Sequence, residues 1–468
     1  MRKTLMVLSI LFLVLAAPHV GARAAAIQSA GPGQIREAEQ NPQPDARFKA
    51  DILLIVAHPD DETMVTGYLA RVIFDGQKRV AAIFGTPGNS GGDVVSNAQA
   101  FALGDVRITE AREALASFGV LHVWCLGGPD TPGQDVRRSL ETWNHGNALG
   151  QAVRLVRLTR PEVIFTWLPD FVVGENHDDH QAAAVIATEA FDIAGDPTAF
   201  PEQVAAPDNR TAVGNLKEGL QPWQPKKIYY FSDAASTDFL IGKGPEYNTT
   251  DISPSKKLPY YKLAAEEMAY HLTQDDTGQL AKHALETGDF AYFKQPVRLV
   301  LGKSLVASNI TGDVFEGIIP GAIPYAPARG YREEARKGIS VELGGPWAYY
   351  QDFWRAHNLD QMAELIKTPE MGVDNGEQVH VPILIHNDTD EPVEVVLTSA
   401  LPPGWKELCG TARYPVRSHE AYPVQTAYEA PSTAKPEWQT LHWEAESRGA
   451  VVGTVELRVV TDSGGLPQ

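Results

Sequence analysis

Apolar runs alternate with amphipathic stretches along the first two thirds of the chain. The segment 51–57 is predicted to be a strand, because residues 52–57 are all apolar, include Ile52, Ile55 and Val56 with branched Cβ atoms, and show no polar alternation. This pattern is typical of a strand buried on both faces of a parallel sheet. The same pattern predicts strands at 79–85, 121–126, 162–167 and 227–232. It predicts helices at 62–75, 107–118, 147–158 and within 256–272. This alternation predicts an α/β domain with a mostly parallel, Rossmann-like sheet and helices on both faces.

The pattern changes after Pro369. Short alternating segments separated by turn residues occur at 379–388, 392–399, 422–428 and 449–460. Their regular spacing predicts an all-β sandwich. Upstream of them, an aromatic cluster within 347–354 is interpreted as packing between two domains. The chain is thus predicted to contain an α/β domain at 50–300, a connecting region at 301–369 and a β-sandwich at 370–468.

The first residues have the pattern of a secretory signal peptide. A basic start at Met1–Lys3 precedes an apolar run at Leu5–Ala17, and Ala22-Arg23-Ala24 provides a small-x-small cleavage site. The apolar run is too short to span a bilayer, so no stable membrane anchor is expected after cleavage. Residues 1–24 are predicted to be removed and residues 25–49 to form a flexible leader. The protein is therefore expected to be secreted or periplasmic.

Composition narrows the classes of partner. The 468 residues carry a formal net charge of -19, which disfavours binding to nucleic acid or to anionic membrane surfaces. The two cysteines, Cys125 and Cys409, fall in different predicted domains, so a bridge between them is not favoured. Nothing in the composition indicates the oligomeric state.

A first group of chemically active residues follows the first predicted strand. His58, Asp60, Asp61 and Glu62 lie at its carboxyl end, which is where open α/β sheets bind their ligands. One interpretation is a metal or acid–base site. The alternative is that Asp60 or Asp61 only caps the helix that follows.

A second group, Glu175-Asn176-His177-Asp178-Asp179-His180, follows the strand predicted at 162–167. Imidazole and carboxylate ligands together suit zinc, and a catalytic zinc site uses three protein ligands and keeps an open position. His58, Asp61 and His180 supply such a set, which leaves Asp60 and His177 for acid–base work or oxyanion stabilisation. The alternative is a polar helix start with solvated histidines.

These residues carry a family resemblance. Ala57-His58-Pro59-Asp60-Asp61-Glu62, paired with His177-Asp178-Asp179-His180, resembles the PIG-L (LmbE-like) family of zinc-dependent de-N-acetylases. Shorter segments that are similar to family motifs are Thr86–Gly91, Arg107–Glu110, Phe118–Val120, Leu126–Asp130 and His271–Gln274.

The resemblance implies a role for each matched residue. His58, Asp61 and His180 would hold one zinc ion per chain, Asp60 would be the general base, and His177 would stabilise the oxyanion or protonate the amine. It also implies that Arg107 and Asp130 contact the substrate and that Asp179 supports the metal ligands from behind.

The sequence departs from the family pattern at three positions. Asn89 stands where the family usually has Glu, Asp178 where it usually has Pro, and Ala264 where it often has Lys. None of the three is a predicted zinc ligand, so these departures bear on the fit of the substrate more than on the chemistry. In the C-terminal part, Leu401–Trp405 resembles a segment of NEW3-type immunoglobulin-like modules.

The resemblance implies a secreted zinc-dependent amidohydrolase that removes an acetyl group from a small-molecule or glycan substrate of the N-acetylglucosamine type. Two alternatives stay open at this point. One is a zinc amidase acting on a thiol conjugate or another acylated amine. The other is a carbohydrate-binding protein whose α/β domain is not catalytic.

Overall fold

A computed structural model describes residues 44–131, 133–170, 177–205, 218–234, 237–332, 335–365, 368–432 and 437–461. The predicted signal peptide and most of the predicted leader lie outside these residues. Within the leader's last residues, Ala46–Phe48 form a short 3-10 turn capped by the Asp45 side chain.

The strands of the α/β part are β1 Ile52–Val56, β2 Val80–Phe84, β3 Val123–Cys125, β4 Val163–Trp167, β5 Lys227–Phe231, β6 Glu246–Tyr247, β7 Val297–Arg298 and β8 Val300–Ser304. Six of them form one sheet with the order β3-β2-β1-β4-β5-β8, and β6 pairs antiparallel with β7 in a separate two-stranded sheet. The first five pair in parallel, and β8 runs antiparallel to β5. The chain order reverses between β1 and β4, which is the position where such sheets form ligand crevices.

Helices connect and follow these strands. Among the described residues they are α1 Thr66–Ala70, α2 Phe101–Ser117, α3 Val136–Thr142, α4 His145–Thr159, α5 Asp178–Ile193, α6 Pro201–Val204, α7 Tyr260–Met268, α8 Leu280–Thr287 and α9 Gly345–Ala356. Further 3-10 turns are Asp61–Val65, Asp238–Leu240, Tyr292–Lys294 and Asp360–Glu364, and π-type turns are Arg71–Asp75 and Asp275–Gln279. No helix in the described ranges is both long and apolar enough to cross a membrane.

Two further sheets make up the C-terminal region. Their strands are β9 Ile339–Leu343, β10 Glu370–Val373, β11 Gln378–Asn387, β12 Val393–Ala400, β13 Lys406–Cys409, β14 Ala412–Val416, β15 Glu420–Glu429, β16 Trp438–Ser447 and β17 Ala450–Thr461. One sheet has the order β10-β17-β16-β12-β14 and the other β13-β15-β11-β9. Along β11, buried and less buried residues alternate because one face packs into the sandwich core. The predicted fold class, a mostly parallel α/β domain followed by an all-β region, is confirmed.

Two boundaries differ from the sequence prediction. The predicted connecting region contains β9, which pairs antiparallel with β11 and therefore belongs to the sandwich. The segment Ile339–Leu343 does alternate apolar and polar residues, but it is only five residues long and is flanked by Gly338 and Gly344, so its pattern alone does not assign it to the sandwich. The α/β sheet also extends past residue 300, because β8 is its edge strand. In addition, α3 lies between the predicted strand at 121–126 and the predicted helix at 147–158, where the sequence pattern predicts neither a helix nor a strand.

Helix α9 contributes to both hydrophobic cores. Trp347, near its start, packs in the sandwich core, whereas Tyr350, Phe353 and Trp354 pack in the core of the α/β domain. The Tyr350 hydroxyl donates to Gln181 Oε1 in α5 at 2.7 Å, and the Trp354 indole donates to the Pro169 carbonyl at 2.8 Å. The aromatic cluster thus packs between the two regions and touches the helix that carries His180.

Candidate metal centre

Three side chains from the ends of β1 and β4 converge on one point. The distance from His58 Nδ1 to His180 Nε2 is 3.2 Å, and Asp61 Oδ1 lies 3.6 Å from the first nitrogen and 3.4 Å from the second. In a tetrahedral zinc site with bonds of about 2.0–2.1 Å, neighbouring ligand atoms lie about 3.3 Å apart. The triangle of donor atoms therefore has the size that one zinc ion requires.

The Asp61 carboxylate is fixed by three donors on its other oxygen. Oδ2 accepts from the backbone N–H groups of Ala57 at 2.7 Å and His58 at 2.9 Å, and from the Trp167 indole at 2.5 Å. The Trp167 ring also stacks on the His180 imidazole, with centroids 4.1 Å apart. Burial raises the pKa of Asp61, but the His180 and His58 imidazoles outweigh it and hold the pKa well below its usual range. Oδ1 of an ionised Asp61 is thus presented to the point between the two imidazoles.

A carboxylate lies near the ring nitrogen of each imidazole that points away from the other imidazole. Asp179 Oδ2 lies 3.4 Å from His58 Nε2 and accepts the Thr131 backbone N–H at 2.8 Å. Asp233 Oδ2 lies 3.8 Å from His180 Nδ1. Such outer carboxylates fix the tautomer and orientation of metal-binding histidines. Asp233 was missed in the sequence, where the only indication is an acidic residue two positions after the last residue of a buried strand.

Asp60 lies beside this group in an unusual backbone conformation. Its φ is 144°, a region that L residues rarely adopt, so its side chain direction is imposed by the surrounding fold. The carboxylate accepts from the Gln274 side-chain amide and from the Thr277 hydroxyl, the latter at 3.2 Å. Burial and the neighbouring Asp61 carboxylate raise the pKa of Asp60 to about 7, which is the range expected for a proton acceptor at neutral pH.

His177 begins helix α5 and remains partly exposed. Its Nδ1 accepts the Asp179 backbone N–H at 3.2 Å, so in the neutral ring the proton is on Nε2. Burial, together with His58 and His180, lowers the pKa of His177 to about 3. His58, His177 and Asp179 form a second possible donor group. It is less suited to a metal because His177 Nδ1 and Asp179 Oδ2 already accept backbone N–H groups.

Arg107 and Asp130 bind the loop beside the centre. The Arg107 guanidinium donates to the carbonyls of Gly88 and Ser90 at 3.1 Å and of Gly92 at 2.9 Å. Asp130 accepts the Ser90 N–H at 2.6 Å. In the structure both side chains thus hold the loop at 88–92, and the substrate contacts implied by the resemblance stay a prediction.

Comparison with known proteins places this centre in context. Residues 53–191, which contain the three converging ligands, match the family model described as PIG-L: GlcNAc-PI de-N-acetylase.

Two relatives share one name. A 1D-myo-inositol 2-acetamido-2-deoxy-alpha-D-glucopyranoside deacetylase of Geodermatophilus obscurus is 28% identical over 305 residues, covering 57% of this chain and 97% of the relative. The protein of the same name from Streptomyces avermitilis is 28% identical over 319 residues, covering 59% and 99%.

Among solved structures, N,N'-diacetylchitobiose deacetylase from Pyrococcus horikoshii is 17% identical, with a TM-score of 0.39 over 54% of this chain and 84% of that chain. The family match spans β1 to α5 and thus includes both strand ends that carry the converging side chains. Residues 53–191 of the α/β domain are therefore similar to the PIG-L family.

Proposed function

We propose that the protein is a zinc-dependent deacetylase that hydrolyses the acetamide of an N-acetylglucosamine-type sugar. The observation that carries the proposal is the triangle of His58, Asp61 and His180 donor atoms beside Asp60. It lies within the residues that match the PIG-L family model. The relatives named above act on an acetamido sugar, which supports the same substrate class for this chain.

The donor set fits one zinc ion. Two imidazoles and one carboxylate are ligands that zinc prefers, and three protein ligands leave a coordination position open. When bound there, zinc would supply Lewis acidity and make the attacking water more acidic. The outer carboxylates of Asp179 and Asp233 would hold the two imidazoles in place.

Asp60 would carry out the proton transfers, and His177 would stabilise the negative charge that develops during the reaction. Asp60 takes a proton from the attacking water, whose oxygen bonds to the acetamide carbon. The proton on His177 Nε2 stabilises the negative charge that develops on the acetamide oxygen. The C–N bond then breaks, the amine nitrogen receives the proton from Asp60, and acetate and the free amino sugar are released.

Release of acetate from defined substrates tests the proposal. The purified protein is assayed with 1D-myo-inositol 2-acetamido-2-deoxy-α-D-glucopyranoside, N-acetylglucosamine and N,N'-diacetylchitobiose, before and after chelation and after addition of zinc. We expect the wild-type protein to release acetate, chelation to abolish this activity and added zinc to restore it. The Asp60→Asn variant should release no acetate under any of these conditions. A zinc-loaded protein that releases acetate from none of the three would contradict the proposed function.

The proposal extends to the location and the accessory region. We propose that residues 1–24 direct export to the periplasm or the medium, and that the β-sandwich is a NEW3-type module. N-terminal sequencing of the exported protein tests the first point, and a mature protein that starts before residue 20 would contradict cleavage near Ala24.

A further inference from the structure

The residues that contact Asp60 come from a segment more than 200 positions downstream, 271–279. The segment contains the π-type turn Asp275–Gln279, and the Gln279 N–H donates to the Gln274 carbonyl at 3.2 Å. Gly278 is packed so closely that a Cβ there would lie 1.9 Å from the His271 carbonyl oxygen. The turn therefore requires glycine at this position, and it directs Gln274 and Thr277 toward the same carboxylate oxygen.

Two buried carboxylates anchor the segment to the catalytic side of the sheet. Glu62 Oε1 lies 2.9 Å from His271 Nε2, and both residues are fully buried. Glu110 in α2 accepts from Thr273 twice, at 2.7 Å from the hydroxyl and 3.1 Å from the backbone N–H. Glu62 also accepts the Asp60 backbone N–H at 3.1 Å. The Glu62 side chain therefore links the segment 271–279 directly to Asp60.

The contacts on Asp60 are directed to a single oxygen. Both the Gln274 amide and the Thr277 hydroxyl donate to Oδ2. Two donors on one oxygen fix the rotation of the carboxylate and leave Oδ1 to receive a proton. Gln274 and Thr277 are themselves nearly buried, at 8% and 7% exposure, so water does not replace them readily.

We infer that Gln274 and Thr277 are positioning residues that orient Asp60 for proton transfer, and that Glu62 and Glu110 hold their segment in place. This inference rests on the proposed function, because it assigns a role relative to Asp60 as the general base. Misplacement of a catalytic group by about 1 Å costs about 100-fold in rate. A loss of about 10- to 100-fold in kcat is therefore expected when the Gln274 contact is removed.

The test compares Gln274→Ala and Thr277→Val with matched controls. Gln224 is also buried and its side-chain amide donates to the Phe191 carbonyl at 2.9 Å, so Gln224→Ala removes an amide contact away from the centre. Thr159, whose hydroxyl donates to the Leu155 carbonyl at 2.7 Å, serves likewise as Thr159→Val. For the two test variants we expect lower kcat, KM within about two-fold of wild type, and one zinc per chain.

Two further variants separate positioning from a structural role. Thr277→Ser keeps the hydroxyl and should recover most of the wild-type kcat. In the Asp60→Asn background, Gln274→Ala should produce no additional loss, since a positioning residue acts only through the group it orients. A full additional loss in that background, loss of zinc in Gln274→Ala, or an equal fall in kcat in Gln224→Ala would each overturn the inference.

The outcome also distinguishes the inference from the proposed function. If the wild-type chain turns over acetamido sugars and Gln274→Ala does so equally fast, the inference fails and the function stands. If the wild-type chain is inactive when loaded with zinc, the proposed function fails and the inference with it.

Discussion

Trp167 connects two of the three proposed zinc ligands, so its replacement by phenylalanine is an informative perturbation. The substitution removes the indole N–H that donates to Asp61 Oδ2 at 2.5 Å and keeps an aromatic ring beside His180. A hydrogen bond to a charged group contributes about 1.5–3 kcal/mol. Without it the Asp61 carboxylate keeps two of its three donors, and its Oδ1 is held less firmly toward the metal position.

The expected effect follows from this energy. Since about 1.4 kcal/mol corresponds to a factor of ten, loss of the contact should weaken zinc binding by roughly 10- to 150-fold. The range overlaps the roughly 10- to 100-fold that is typical when an outer contact of a metal ligand is removed. The assay is competition for zinc between the metal-free protein and a chromophoric chelator of known affinity.

The sandwich provides a matched control. Trp443 is as buried as Trp167, and its indole donates to the Tyr428 hydroxyl at 2.5 Å. Trp443→Phe and Trp167→Phe should each lower the free energy of unfolding by about 1–3 kcal/mol, because in both cases the smaller ring leaves a cavity in the core. Trp443→Phe should leave zinc affinity unchanged. Equal zinc affinity in Trp167→Phe and wild type, or an equal loss in both variants, would refute the reasoning.

Three more predictions concern the centre and its surroundings. His58→Ala and His180→Ala should each lose bound zinc, because either change leaves two protein ligands, and near-stoichiometric zinc by metal analysis would contradict the ligand set. Asp60→Asn should keep one zinc per chain and lose roughly 100-fold or more in kcat, whereas zinc loss would indicate that Asp60 is a ligand. A chain that ends at residue 367 has β9 without its partner β11, and the exposed strand should make it aggregate more than the full chain. A chain that ends at residue 338 also lacks α9, whose Tyr350 contacts Gln181 next to His180 in α5, and it should therefore lose zinc. Metal analysis of the soluble fractions distinguishes these outcomes, and full zinc retention without α9 would contradict a supporting role for that helix.

The strands and the residues at their ends could be predicted because their pattern is local. Residues 52–57 are all apolar and residues 163–167 are apolar except for Thr166, and the polar groups that follow these runs stand out against them. Parallel strands then bring their carboxyl ends to one edge of the sheet, so His58 and His180 meet although 122 positions separate them. The predicted strands 51–57 and 162–167 enclose the observed ones, β1 and β4, and no end differs by more than one residue.

The surroundings of the centre could not be predicted because they depend on tertiary packing. Trp167 is the last residue of β4 and resembles any buried aromatic residue in sequence, and only the fold places its indole on Asp61. Gln274 belongs to a segment that is similar to a family motif, but nothing near it in the chain indicates contact with Asp60. For β9, the sequence alternates apolar and polar residues over five positions only, and nothing near it in the chain indicates that its partner strand lies about 40 positions downstream.

Helix α9 should couple the thermal unfolding of the α/β domain to that of the β-sandwich. Trp347 belongs to the sandwich core, and three other aromatic residues of the helix belong to the α/β core, namely Tyr350, Phe353 and Trp354. Unfolding of either core therefore removes contacts that hold α9 in place, and α9 in turn packs in the other core. Shared elements of this kind couple domain unfolding into one cooperative event. Calorimetry of the full chain should therefore record a single endotherm, and a core mutation in the sandwich should shift the temperature at which zinc is released.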